Sequence, residues 1–309
     1  MSAARVAAID IGTNSVLLLV AEQRGEELVP VLERATITRL GRGVDRARAL
    51  DPEAVSDTLA CLSTYAADLR AAGVTRVAAV GTSAMRDARG GEDFRSRARQ
   101  ILGVAPEVIS GEEEAALTFA GALAGLGLDG PVLVFDLGGG SCEIIRGEAR
   151  GGARRAVSLD VGAVRSTERY VLHDPPQPDE IAAVRRAARE ALDALGPGLL
   201  GGAPRVVGVA GTVTTLAAHT LGVAPYDAAC VHGARLDQIT VTRTLAELAS
   251  LTLAERRALP AIDPRRADVL VAGAAIVDEL LDWAGAGELV VSDRGVRWGL
   301  ASRLAATGR

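Results

Sequence analysis

Lysine is absent from this sequence of 309 residues: all 34 of its Lys+Arg positions are arginine. A Walker-type phosphate loop and a Schiff-base enzyme both need a lysine amine, so neither chemistry is open to the chain. Aromatic residues make up only 3%, which removes the exposed rings on which single-stranded nucleic acid stacks. The three cysteines, Cys61, Cys142 and Cys230, are scattered with no Cys-x-x-Cys pair. Their number and spacing give neither a disulfide framework nor a zinc site and fit a reducing compartment. A net charge of −5 offers no basic field to nucleic acid or a membrane surface. The apolar run 269–277 has about half the length that spans a bilayer, and no basic and apolar leader precedes the first strand. A cytoplasmic protein with no nucleic-acid or membrane partner is expected.

What is present describes a globular α/β chain. Hydrophobic residues make up 49% and charged residues 24%, and the length suits two domains of ordinary size. Strand and helix patterns alternate throughout. Residues 6–11 read as a buried strand, 12–15 as a turn and 16–21 as a returning strand. A helix is expected over 51–72, with Pro52 in its first turn, and a short strand over 76–80. The plan then recurs: strand 131–137, glycine turn 138–141, returning strand 142–145, and later strand 205–210. Asp10 and Asp136 each close a strand before a glycine turn containing serine. Gly81-Thr82 and Gly211-Thr212 recur at nearly the same separation, which indicates a duplicated domain. A boundary within 121–130 follows, giving lobes of 1–122 and 123–309, with 150–155 and 196–204 as surface loops.

The chemistry-bearing candidates lie at these repeated turns. Glycines let a backbone approach a ligand closely, and consecutive N–H groups in a turn form a nest for an anion. An aspartate beside a phosphate repels it unless a cation such as Mg²⁺ bridges the two. Gly12, Thr13, Asn14 and Ser15, and Gly138, Gly139, Gly140 and Ser141, are therefore candidate phosphate-binding residues, with Asp10 and Asp136 as metal ligands. Gly211 and Thr212 open a helix whose free N–H groups and dipole suit an anion, although an ordinary helix cap explains them equally well. Arg86, in Gly81-Thr82-Ser83-Ala84-Met85-Arg86, is placed for a bidentate phosphate contact. Ser110 and Glu113 fit a capping box, which gives Glu113 a structural task and leaves Glu114 for catalysis. Arg34, Arg39, Arg42, Arg46 and Arg48 form a basic stretch that reads as a solvated loop or a path for a polyanion. His173, His219 and His232 show no ligand spacing.

Ile9-Asp10-Ile11-Gly12-Thr13-Asn14-Ser15, Gly81-Thr82-Ser83-Ala84-Met85-Arg86-Asp87-Ala88, Ile109-Ser110-Gly111-Glu112-Glu113-Glu114-Ala115 and Phe135-Asp136-Leu137-Gly138-Gly139-Gly140-Ser141 occur in that order. This series resembles the motifs of the exopolyphosphatase/guanosine pentaphosphate phosphohydrolase family, and segments 158–168, 207–215 and 291–299 resemble its later motifs. The resemblance implies duplicated actin-like (ribonuclease H-like) domains with an interdomain cleft, and a homodimer. It implies Mg²⁺-dependent, or Mn²⁺-dependent, hydrolysis of inorganic polyphosphate or guanosine pentaphosphate. By position, Glu114 takes the part of the general base, Glu143 joins Asp10 and Asp136 at the metal, and Arg266 matches a basic position facing the polyanion. A solvated arginine opening a helix over 266–283 is the plainer reading of Arg266. Leu17 stands where many relatives carry a basic residue. The chain ends at Arg309, where longer relatives add helical domains, so a preference for shorter polymers is expected. A kinase of the same superfamily and a non-catalytic phosphate sensor are the alternatives, and the three consecutive carboxylates favour the hydrolase.

Overall fold

The computed structural model describes residues 5–25, 27–202 and 204–307; the side chains of Glu27, Asp45, Arg46, Ser83, Asp87 and Pro197 lie outside the described part. The chain divides into two compact units, Met1–Gly121 with Val296–Arg309, and Ala122–Gly295.

In the first unit, β1 (Arg5–Ile11), β2 (Ser15–Arg24) and β3 (Glu27–Ile37) form an antiparallel meander. After α1 (Val44–Ala47) and α2 (Pro52–Ala71), β4 (Arg76–Gly81) lies parallel to β1. There follow α3 (Ser83–Asp87), α4 (Gly91–Leu102), the short β5 (Glu107–Val108) and α5 (Gly111–Leu123). The sheet order is β3-β2-β1-β4-β5. Strand β1 is apolar on both faces because both are covered. Ala7, Ile9 and Ile11 point towards the core holding Leu62, Leu69 and Phe94 of α2 and α4. Val6 and Ala8 point to the opposite core, with Leu117 of α5. Side chains alternate along a strand, so Asp10 shares the face of Val6 and Ala8. Asp51 caps α2 through the N–H groups of Glu53 and Ala54, which places the start of that helix where the proline suggests.

In the second unit, β6 (Pro131–Leu137), β7 (Cys142–Glu148) and β8 (Gly152–Leu159) repeat the meander. They lead through α6 (Ala163–Tyr170) and α7 (Pro178–Asp193) to β9 (Arg205–Val209), parallel to β6. Then come α8 (Ala210–Leu221), α9 (Ala228–Val231), β10 (Arg235–Asp237), α10 (Gln238–Ser250), α11 (Leu253–Ala258), α12 (Leu270–Ala284) and β11 (Glu288–Val291). The order β10-β11-β9-β6-β7-β8 has the same centre as the first sheet, so the repetition seen in two short sequence matches is a duplicated ribonuclease H-like topology. The apolar run 269–277 enters α12, which is buried in the core of this unit. Among the described residues no helix is long and apolar enough to cross a membrane.

Three expectations need correction. Residues 123–309 do not form one lobe: α13 (Val296–Ala306) returns to the first unit and packs on β1, β2 and β4. Its Trp298 and Leu300 fill the same core as Leu117. A methyl on Gly299 would fall 2.1 Å from the Leu117 carbonyl oxygen, so the crossing of α13 over α5 needs glycine. Residues 150–155 are not wholly a loop, because β8 begins at Gly152 and pairs with β7 as an exposed edge strand. Arg266 does not lie in a helix; it sits in the turn before α12, its N–H bonded to the Asp263 carbonyl.

Candidate active site

The first unit gathers its candidates at one end of its sheet. Register places Asp10 beside Val80 and Ile11 beside Gly81, so the turn after β1 and the turn after β4 share that end. The 12–15 turn is closed by the Gly12 N–H donating to the Ser15 carbonyl at 3.0 Å. Its carbonyls at Thr13 and Asn14 accept from Gly41 at 2.8 Å, and from Thr38 and Arg39 at 3.1 and 2.9 Å. A trans peptide points its N–H opposite to its carbonyl, so the amides of Asn14 and Ser15 face away from the 38–41 loop. That loop is tightly fitted: Arg39 is left-handed, with φ 52°. A methyl on Gly41 would fall 2.2 Å from Thr13 Cγ2.

Arg86, on α3, donates through Nη1 to the Ile109 carbonyl at 2.7 Å and to Glu114 Oε2 at 2.9 Å. Ser110 Oγ accepts from the Glu113 N–H at 3.1 Å and so caps α5. The Glu113 carboxylate is ion-paired with Arg303 of α13. Three successive carboxylates at a helix start thus have separate surroundings, and Glu114 is the one directed at Arg86. Asp10 is 9% exposed and its Oδ1 has no hydrogen-bond partner. Burial raises its carboxyl from the ordinary 3.8 to about 7; the negative charge of Glu114 adds to this and Arg297 opposes it. Strand alternation explains both neighbours, because Asp10 lies on the face covered by α5 and α13. Arg297 itself donates to Glu33 Oε2 at 2.7 Å.

The second unit repeats the turn. The Gly138 N–H donates to the Ser141 carbonyl at 3.0 Å. Asp136 lies opposite Glu143 across the β6–β7 ladder, and Glu143 Oε1 accepts from Ser158 Oγ at 2.8 Å. The start of α6 abuts this turn, since a methyl on Gly162 would fall 2.4 Å from the Gly139 carbonyl oxygen. At the next turn Ala210 is left-handed, φ 73°, a strained geometry for a residue with a Cβ and one that clusters at functional sites. A methyl on Gly211 would fall 1.7 Å from Arg266 Nη1, so the guanidinium lies directly on the Gly211 backbone, where burial lowers its pKa. The Thr212 side chain is buried against Gly273 of α12. In the basic stretch, Arg42 is engaged with Asp51 and Glu53 and Arg34 with Asp68.

Among the described residues no group of three or more His, Cys, Asp or Glu is disposed to hold a metal ion. A small divalent cation that keeps several waters needs only one or two carboxylates and the substrate's own oxygens. The buried, unpartnered Asp10 Oδ1 fits such a ligand, and a cation would reverse the burial cost that holds its proton. Reading the motifs missed Arg297 and Arg165. Their signal was weak because each acts far away in sequence, Arg297 on Asp10 and Glu33 and Arg165 on the 138–141 turn.

Two ribonuclease H-like units, each with an acid near the end of its first strand before a glycine turn, define the chain as a protein of the duplicated, actin-like fold. The chain belongs to the Ppx/GppA phosphatase family, whose model matches residues 19–307. It is 41% identical over 321 residues to Exopolyphosphatase 2 of Mycobacterium tuberculosis, covering 99% of this chain and 100% of that one. It superposes on the crystal structure of the Aquifex aeolicus Ppx/GppA family member with a TM-score of 0.87 at 32% identity, covering 99% of each. It is also 38% identical over 164 residues to a guanosine-5'-triphosphate,3'-diphosphate pyrophosphatase of Vibrio atlanticus, covering 53% of this chain and 33% of that one.

Proposed function

We propose that this protein is an exopolyphosphatase, a phosphoanhydride hydrolase that releases the terminal phosphate of inorganic polyphosphate by in-line attack of water. The observation that carries the reaction type is the grouping of the Glu114 carboxylate, the Arg86 guanidinium and the buried Asp10 at one end of the first sheet. The choice of polymer is supported by the end-to-end match to Exopolyphosphatase 2.

Glu114 orients the water and takes its proton, held in place by Arg86, whose guanidinium also donates to the Ile109 carbonyl. The remaining guanidinium donors of Arg86 meet the phosphoryl oxygens. The amides of the 12–15 and 138–141 turns receive anionic oxygens, with Gly211 and Arg266 as further contacts. In the first unit Asp10, and in the second Asp136 and Glu143, would serve as ligands for Mg²⁺, or Mn²⁺ in its place. When bound, the ion supplies charge neutralisation of the equatorial oxygens. The site otherwise works by positioning and preorganised electrostatics. We place the enzyme in the cytoplasm and expect a homodimer, the commonest closed assembly. The similarity to the Vibrio pyrophosphatase makes guanosine pentaphosphate the second substrate to test.

The test is phosphate release by the purified protein with Mg²⁺ from short polyphosphate, long polyphosphate, guanosine pentaphosphate and ATP. Polyphosphate is expected to be the best substrate. Release from none of the four, or ATP consumption matched by phosphorylation of an acceptor, would remove the reading.

A further inference from the structure

We propose that Arg165 is a positioning residue of the second phosphate turn: its guanidinium fixes the Gly140 carbonyl and thereby aims the turn's N–H groups at an anionic oxygen. The inference deepens the hydrolase reading and rests on it for the identity of the ligand.

Three consecutive carbonyls of the turn are held from one side. Gly138 accepts from the Ala163 N–H at 3.0 Å, and Gly139 from the N–H groups of Val164 and Arg165 at 2.9 and 3.0 Å. Gly140 accepts from Arg165 Nε at 2.7 Å. Because each N–H is antiparallel to the carbonyl of its own peptide plane, the amides of Gly139, Gly140 and Ser141 face the other side together. That is the geometry of an anion nest. The first two carbonyls are fixed by the backbone of α6; only the third depends on a side chain. Without Arg165 the peptide between Gly140 and Ser141 has no such tether, and the glycines that precede it leave it freer to turn.

The contact of Arg165 with Asp160, 3.9 Å away with a side chain 96% exposed, is worth little in itself. The guanidinium lies along the turn, since a methyl on Gly140 would fall 3.7 Å from Arg165 Nη2. One fixed guanidinium thus orders the peptide and adds positive charge beside the amides it aims. In the first turn the Thr13 and Asn14 carbonyls are held by backbone N–H groups of the 38–41 loop, whereas the Gly140 carbonyl is held by the Arg165 side chain.

The experiment compares the full-length protein with its Arg165→Ala and Arg165→Lys variants. It measures steady-state hydrolysis of polyphosphate with Mg²⁺, inhibition by orthovanadate and the thermal midpoint. Arg165→Ala is expected to lower kcat by about ten- to a hundredfold and to raise the vanadate inhibition constant by a similar factor. KM for a long chain should change less, since most polymer contacts remain. Arg165→Lys should not restore kcat, because a point charge lacks the planar N–H aimed at the carbonyl, whereas added guanidinium ion should partly rescue Arg165→Ala and ammonium should not. Wild-type kcat and vanadate inhibition in Arg165→Ala would overturn the proposal, as would a loss accounted for by a lower thermal midpoint with vanadate inhibition unchanged. Should Arg165→Ala fail to fold, Arg165→Gln carries the same comparison. If the unaltered protein hydrolyses no phosphoanhydride, the hydrolase reading is what fails; calorimetric binding of vanadate to protein and variant then decides Arg165 separately, equal affinity overturning its role and weakened affinity supporting it.

Discussion

A single nitrogen of Arg86 joins the Glu114 carboxylate, at 2.9 Å, to the Ile109 carbonyl, at 2.7 Å. The carbonyl belongs to the segment entering α5 and the carboxylate to the first turn of that helix, so the arginine locks a short stretch of chain against α3. A guanidinium has five donors in a rigid fork. Two bonds through one nitrogen leave the rest of the fork for a phosphoryl group, and the base is oriented before substrate arrives.

Replacing Glu114 by glutamine keeps the side chain's shape and a hydrogen-bonding oxygen but removes the proton acceptor. We expect kcat on polyphosphate to fall by at least about a hundredfold, the usual scale of general-base catalysis, with KM little changed and the thermal midpoint preserved. Steady-state kinetics with Mg²⁺ checks this. A variant retaining most of its turnover would remove Glu114 from the chemistry.

The contact between Gly162 and the 138–141 turn is backbone against backbone, so no flexible side chain can make room. Gly162→Ala would place a methyl 2.4 Å from the Gly139 carbonyl oxygen. The start of α6 must shift, with a stability cost of about 1–3 kcal/mol and a fall in kcat/KM larger than that loss of folded protein explains. Chemical denaturation beside kinetics separates the two effects. Unaltered turnover in Gly162→Ala would show that the turn's geometry does not matter.

The legibility of this fold follows the range of each signal. The meander and its return were readable because Val, Ile and Leu in buried strands leave a local pattern, and the glycine turns stand at strand ends in both halves. The capping of α5 by Ser110 was readable for the same reason: donor and acceptor are three residues apart. The assignment of α13 to the first unit was not, because its packing on β1 joins residues almost a whole chain apart. Arg165 and Gly140 are separated by 25 positions with nothing local to announce the bond. Arg266 looked like the start of a helix, whereas the chain turns first and lays the guanidinium on Gly211.

Glu180, at the start of α7, gives a stability test remote from the proposed chemistry. Burial disfavours its charge. The N–H of Gln177, the His173 ring and the N–H of Leu172, each at 2.8 Å, outweigh that and bring it from the ordinary 4.5 to about 2. Between these values the unfolded chain binds the proton and the folded chain does not, so stability rises with pH across that window and is lost as pH falls through it. Glu180→Gln should lower the thermal midpoint by a few degrees at pH 7. The difference from the unaltered protein should shrink from about pH 4.5 towards pH 2. A constant difference across that range would mean the charge is not what the three donors stabilise.

Asp10 carries the opposite sign. With its carboxyl raised from 3.8 to about 7, the cation-free folded protein keeps a proton that the unfolded chain releases between those values. Stability therefore falls as pH rises through that window. Asp10→Asn removes the penalty: in EDTA the variant should melt several degrees above the unaltered protein at pH 8 and at the same temperature below about pH 4. If Asp10 is a ligand for Mg²⁺, millimolar Mg²⁺ at pH 8 should raise the midpoint of the unaltered protein, because binding to the folded state alone stabilises it. It should leave Asp10→Asn nearly unmoved, and the variant should have lost phosphate release. Thermal melts in the four combinations of protein and cation decide the matter; an equal Mg²⁺ shift in both proteins would place the metal elsewhere and leave the buried Oδ1 of Asp10 without its proposed partner.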